Sequence, residues 1–128
     1  QFVQATHKFE KHYPDRLMGT SDPDSELWKD RAPMNHLDEI NAPVLFIHGA
    51  DDEYTPVSTV RAAYDRLAEL GKPVAIEVLP DEGHSFQHHR SIGIAWNAEL
   101  SFYGKVWDFP VDDEVSVAIA NCKTTRGQ

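Results

Sequence analysis

The chain has 128 residues with 41% hydrophobic and 26% charged content, which suits one globular domain with a modest core. A formal net charge of −9 argues against nucleic acid or an anionic membrane as partner, and a lone cysteine, Cys122, excludes an intrachain disulfide. No apolar run approaches the roughly 18–20 residues that span a bilayer. The first residues have no signal-peptide shape, so a cytoplasmic location is expected. The chain starts at Gln1 without an initiator Met and is expected to begin inside a longer product.

In chain order, Phe2 to Arg31 is polar with spaced aromatics, of which Phe2, Phe9 and Tyr13 fit one helical face. "GTSDPDSE" (Gly19 to Glu26) reads as a loop or helix start. "APMNHLDEINAP" (Ala32 to Pro43) reads as a short turn or helix bounded by prolines. The pattern then changes. "PVLFIHG" is an apolar run with β-branched residues between Pro43 and Gly49, which predicts a buried strand at about 44–49. An acidic loop follows, and Thr55-Pro56 suits a helix start. Val57, Val60, Tyr64 and Leu67 recur at spacings of 3, 4 and 3, predicting a helix at about 56–70 that ends at Gly71 and Pro73. A second strand is expected at about 74–79, then the loop "DEGHSFQHH". The last helix, at about 91–107, carries Trp96, Leu100, Tyr103 and Trp107 in one stripe, expected to pack on the sheet. Residues 1–110 read as the main body and 111–128 as an acidic tail, whose Val115 to Ala120 segment is one further strand or no element.

The middle of the chain is strand, loop, helix, strand, loop, helix. A crossover helix between two short apolar strands makes a parallel, right-handed pair. Chemistry in such sheets gathers in the loops after the C-terminal strand ends. Here those loops are "ADDEYTP" and "DEGHSFQHH", one rich in carboxylates and one in histidines. A carboxylate that holds one ring nitrogen of a histidine makes the other nitrogen a general base. The order acid then histidine matches the second and third members of an α/β-hydrolase triad. The plainer expectation for Asp51 and Glu53 is solvation or turn formation, for His48 a structural place at the strand end, and for His88 and His89 the surface. His84 and His88 are four apart, as metal ligands on a helix are, but Gly83 argues against a helix there and no third ligand is placed.

"PVLFIHGADDEYTP" resembles the HGxxDxxVP segment of the prolyl oligopeptidase family of serine peptidases, with Thr55 where that family usually has valine. "ELGKPVAIEVLPDEGHSF" resembles the next strand and catalytic-histidine loop of that family. "HLDEINAP", "ELSFYGKVW" and "THKFEKHYPDRLMG" also fit, the last resembling the acylaminoacyl-peptidase branch. The resemblance covers roughly residues 2 to 107 and implies an α/β fold: a partial α/β-hydrolase, holding its last two parallel strands. By position it implies that Asp52 is the triad acid and His84 the triad base, 32 residues apart. It implies no cofactor and no metal.

The nucleophile of that family is a serine in a GxSxG elbow that precedes the acid. None of the seven serines here lies in that motif; Ser21 and Ser85 follow Gly-x but lack the closing glycine. The expectation is a C-terminal portion of a peptidase domain, inactive alone, acting on a peptide or acyl substrate only in the complete enzyme. The alternatives are a non-catalytic binding or oligomerisation module and, less specifically, a metal-binding domain on the histidine loop. Two parallel strands also leave an apolar edge with unpaired backbone groups. Self-association, or a chain that supplies the missing strands, is expected at that edge.

Overall fold

A computed structural model describes residues 13–22, 24–112 and 116–122 of the chain. Phe2 and Phe9, placed above on a helical face, lie outside the described residues. Two short helices open the fold, α1 (Tyr13–Met18) and α2 (Glu26–Arg31). Gly19, at φ 78°, ends the first in the left-handed region that glycine tolerates. Ser25 caps the second by accepting the Trp28 amide on its hydroxyl. Two single 3₁₀ turns follow, at Pro33–Asn35 and Leu37–Glu39, and the second drives Leu37 into the core.

Strands β1 (Val44–Gly49) and β2 (Val74–Leu79) pair in parallel, from Val44 opposite Val74 to Gly49 opposite Leu79. Helix α3 (Val57–Glu69) makes the crossover and α4 (His89–Trp107) follows β2. Alternation along the strands sends successive side chains to opposite faces. Val44, Phe46 and Val74 meet Ala63 and Leu67 of α3, together with Leu37. Leu45 and Ala75 meet Ala98 and Phe102 of α4, together with Val117. The sheet is thus a middle layer between two helices. Leu67, Val74 and Leu79 are fully buried, each contributing about 1.5–3 kcal/mol by leaving water.

Helix α3 starts later than Thr55. Pro56 is its N-cap, because the Thr55 amide and carbonyl are both engaged in the acidic loop. It ends as expected at Gly71 (φ 72°), where the Gly71 and Lys72 amides donate to the Ala68 and Leu67 carbonyls.

The face of α4 differs from expectation. Trp96, Leu100, Tyr103 and Trp107 do not pack on the sheet; they are the exposed side of the helix. The buried side is Ser91, Ala95, Ala98, Ser101, Phe102 and Gly104. Small residues let the helix backbone approach the sheet closely, and a single Phe fills the remaining space. A row of indoles there would hold the helix away from Ala75.

After α4, Asp108 turns the chain in the left-handed conformation and Val111 packs over Gly104. The segment 116–122 lies along the fold. Lys105 Nζ donates to the Ser116 hydroxyl and the Val117 carbonyl, and the Val117 amide donates to Ser101 Oγ. Ala120 makes one antiparallel bridge to Val74 at the outer edge of β2. The Asn121 side-chain amide then donates to the Ala68 and Lys72 carbonyls at the end of α3. Val115 lies outside the described residues, and the rest of Val115 to Ala120 forms this single bridge rather than a strand. Among the described residues, β1 pairs with β2 alone. No helix among them is long and apolar enough to cross a membrane.

Candidate active site

The strands end side by side at Gly49 and Leu79, and the two following loops are joined through their backbones. The Ala50 amide donates to the Leu79 carbonyl and the Asp51 amide to the Glu82 carbonyl, both at 2.9 Å. Glycine is required at position 49 for a steric reason. A Cβ there would lie 2.3 Å from the carbonyl oxygens of both Glu82 and Gly83.

Within the acidic loop the three acids are not equivalent. Asp51 and Glu53 are exposed, whereas Asp52 is buried at 8% exposure. Asp52 Oδ1 accepts the amides of Tyr54 and Thr55, each at 2.8 Å, which closes the turn on the side chain. Asp52 Oδ2 accepts from His84 Nδ1 at 3.0 Å. Burial is the largest influence on this carboxyl and opposes its charge. The Thr55 amide, the His84 ring and the Tyr54 amide together outweigh it and hold the pKa below the usual aspartate value.

His48, at the end of β1, donates Nε2–H to the Thr55 carbonyl at 2.8 Å and lies 3.6 Å from Asp52 Oδ2. It pins the far end of the acidic loop, which is the structural place expected of it. His84 is held on one side only, and its ring is 61% exposed. The Tyr54 ring tilts over it with centroids 5.3 Å apart. A pocket of ≈ 370 Å³ opens beside this pair, lined by Tyr54, Asp81, Gly83, His84, Ser85 and Gln87 among others.

Glu82 is the buried carboxylate of this loop that sequence reasoning missed. It is 1% exposed, with Oε2 accepting the Gln87 amide and Oε1 accepting both the His88 amide and His88 Nδ1, all at 2.9 Å. Ser91 adds a further hydrogen bond. Burial pushes this carboxyl up, but the Gln87 and His88 amides, Ser91 and the His88 ring bring it down from 4.5 to about 2. Glu82 therefore folds the histidine loop around a buried charge and ties it to the start of α4. His88 is not a plain surface residue, since Glu82 holds its inner nitrogen while the ring stays mostly exposed. His89 is exposed at the first turn of α4. No cluster of three His, Cys, Asp or Glu side chains among the described residues is arranged to hold a metal ion.

Chemically, the Asp52–His84 pair is oriented. An ionised carboxylate only accepts, so His84 carries its proton on Nδ1 when neutral, and the lone pair is left on Nε2. A histidine in that tautomer, beside a carboxylate that stabilises its cation, can accept a proton at Nε2.

Solved structures share this arrangement of elements. The chain superposes on a puromycin-hydrolyzing peptidase of Mycobacterium tuberculosis with a TM-score of 0.83 and 28% identity, over 93% of this chain and 18% of that one. A puromycin hydrolase gives a TM-score of 0.80 at 28% identity, over 91% of this chain and 18% of that one. In sequence it is 28% identical over 78 residues to acylamino-acid-releasing enzyme 1 of Oryza sativa subsp. japonica, covering 56% of this chain and 10% of that protein. The chain spans between 10% and 33% of the length of three curated relatives that it matches. The fold is accordingly that of a part of a peptidase α/β-hydrolase domain. Residues 2–109 match the prolyl oligopeptidase family along their length, and the chain belongs to that family.

Proposed function

We propose that this chain is the acid- and base-bearing portion of a serine hydrolase of the peptidase class, with Asp52 and His84 as two members of a catalytic triad. The observation that carries this is the 3.0 Å hydrogen bond from His84 Nδ1 to a buried Asp52 that two backbone amides hold ionised. The nucleophilic serine and the oxyanion donors come from elsewhere in the protein, because no serine here lies in a GxSxG elbow. The substrate is a peptide or acyl amide, in line with the hydrolases among its relatives.

In the assembled site the serine hydroxyl attacks the acyl carbon and its proton passes to His84 Nε2. Asp52 stabilises the imidazolium through Nδ1–H, and His84 then returns the proton to the leaving amine. Water repeats the sequence on the acyl-enzyme. The open edge of β1 is where the portion bearing the serine adds its strand, which brings the elbow beside His84.

The 128-residue chain alone is therefore expected not to react with a fluorophosphonate probe. Mixing it with a separately expressed upstream portion restores labelling and peptidase activity, and His84→Ala in this chain abolishes the restored activity. Stoichiometric labelling of a serine in the isolated chain would overturn the assignment of the nucleophile to another segment.

A further inference from the structure

Glu82 lies just before Gly83 and His84, where the two halves of the site meet. Its carbonyl oxygen accepts the Asp51 amide at 2.9 Å, beside the buried acid. Its side chain turns the other way and reaches past His84. Oε2 accepts the Gln87 amide and Oε1 the His88 amide, both at 2.9 Å. One residue therefore grips the acidic loop with its backbone and the far side of the histidine turn with its carboxylate.

Between those two grips little else fixes His84. Gly83 has no side chain to pack, and a Cβ there would meet only the Asp51 carbonyl oxygen within 4 Å, at 3.9 Å. Glycine leaves the backbone leading into His84 without steric restraint. The ring itself is 61% exposed and is held by Asp52 on one side. A turn this loosely packed takes its shape from whatever closes it, and the Glu82 carboxylate does so.

A carboxylate is suited to that task. The Gln87 and His88 amides, His88 Nδ1 and Ser91 all converge on Glu82. An ionised carboxylate only accepts, and it has about four lone-pair sites for these donors. A glutamine side chain would turn an NH₂ group toward at least one of them. Burying a charge is costly unless its sites are filled. They are filled here, since no buried side-chain nitrogen or oxygen among the described residues lacks a partner. What a fully satisfied buried network secures is a fixed geometry.

We propose that Glu82 is a positioning residue for His84: by holding the Gln87 and His88 amides, its carboxylate closes the turn that presents the imidazole to Asp52. Its role rests on the reading of Asp52 and His84 as acid and base. Glu82 acts through the backbone and takes no proton in the reaction. The His88 ring matters less, because it is mostly exposed and its removal leaves both amides on the carboxylate.

Glu82→Gln, Ser91→Ala and His88→Ala in the intact 128-residue chain, read by NMR at low temperature, test this. Exchange of the His84 Nδ1 proton with water reports the bond to Asp52, and exchange at the Val74 and Ala120 amides reports the fold. Glu82→Gln is expected to speed exchange of the His84 proton by at least about tenfold, with little change at Val74 and Ala120. Ser91→Ala keeps the charge and both amides and should give a smaller acceleration. His88→Ala should give none. A His84 proton that exchanges at its original rate in a folded Glu82→Gln chain overturns the proposal. So does an acceleration matched at Val74 and Ala120, which would make Glu82 a residue of stability only, or one equally large in His88→Ala. Should Glu82→Gln not fold, unchanged exchange in Ser91→Ala overturns it. With the upstream portion added, Glu82→Gln should lower kcat by about 10²-fold with KM little changed, and a loss confined to KM would contradict positioning. If mixing restores no activity, the catalytic reading fails, and the NMR result still decides whether Glu82 positions His84.

Discussion

Gly49→Ala is the smallest change that tests how the site is assembled. The added methyl would sit 2.3 Å from two backbone carbonyl oxygens and 2.7 Å from the Glu82 carbonyl carbon. Carbon–oxygen contacts settle at about 3.3–3.6 Å, so the acidic and histidine loops must separate by about 1 Å. Neither neighbour is a flexible side chain that could swing away. The Asp51 amide at 2.9 Å from the Glu82 carbonyl and His84 at 3.0 Å from Asp52 both span that gap, so both hydrogen bonds are lost or badly stretched. Overpacking costs about 1–3 kcal/mol, and a lost backbone hydrogen bond adds about 1 kcal/mol. The expected destabilisation is about 2–4 kcal/mol, with little added for the His84 bond because that ring is largely in water. Urea unfolding measures the first quantity, and the NMR signal of the His84 Nδ1 proton reports the second. Gly93→Ala is the internal control. It makes the same chemical change in open space within a helix and should stabilise the monomer by about 0.5–1 kcal/mol. A Gly49→Ala protein within about 0.5 kcal/mol of the original, with the His84 proton signal intact, would refute the reasoning.

Two further outcomes follow from the same geometry. The folded-state pKa values of Asp52 and Glu82 both lie below their ordinary values, so the unfolded chain binds more protons on the acid side and stability rises with pH there. The Glu82 contribution should be complete above about 4.5 and disappear as pH falls toward about 2; carboxylate ¹³C titration checks it, and a Glu82 midpoint near 4.5 would contradict the buried network. Asn121→Ala removes two hydrogen bonds to the Ala68 and Lys72 carbonyls, at a cost of about 1 kcal/mol. Hydrogen exchange at the Val74 and Ala120 amides should then accelerate together, whereas unchanged exchange would show that the tail is held without Asn121.

Much of the fold was legible because its signals are local. Val44–Gly49 is too short and too continuously apolar for a helix, and Val57 to Leu67 repeats at helical spacing. A parallel pair joined by a helix places both C-terminal loops at one end, so the meeting of the acidic loop with the histidine loop was foreseeable from residue order, and the family resemblance singled out Asp52 and His84 within them. Glu82 was not. A glutamate between Asp81 and Gly83 in a polar loop looks solvated, and its partners at Gln87, His88 and Ser91 come into reach only when the loop curls back. The start of α3 was legible to within a residue, but its cap was misread for a related reason: Thr55 has the residue type of a cap, while its backbone was already committed to Asp52 and His48.

Element type, chain order and the meeting of an acidic loop with a histidine loop follow from the sequence alone, because periodicity and residue order encode them directly; the choice of Asp52 and His84 within those loops came from the family resemblance. The buried face of α4 does not. That helix carries two stripes, one of small residues with Phe102 and one of Trp96, Leu100, Tyr103 and Trp107, and hydrophobicity alone favours the wrong one. Only the tertiary structure chose between them. The distance between helix and sheet rewards residues small enough to let the backbones approach, and the larger apolar stripe was left facing outward.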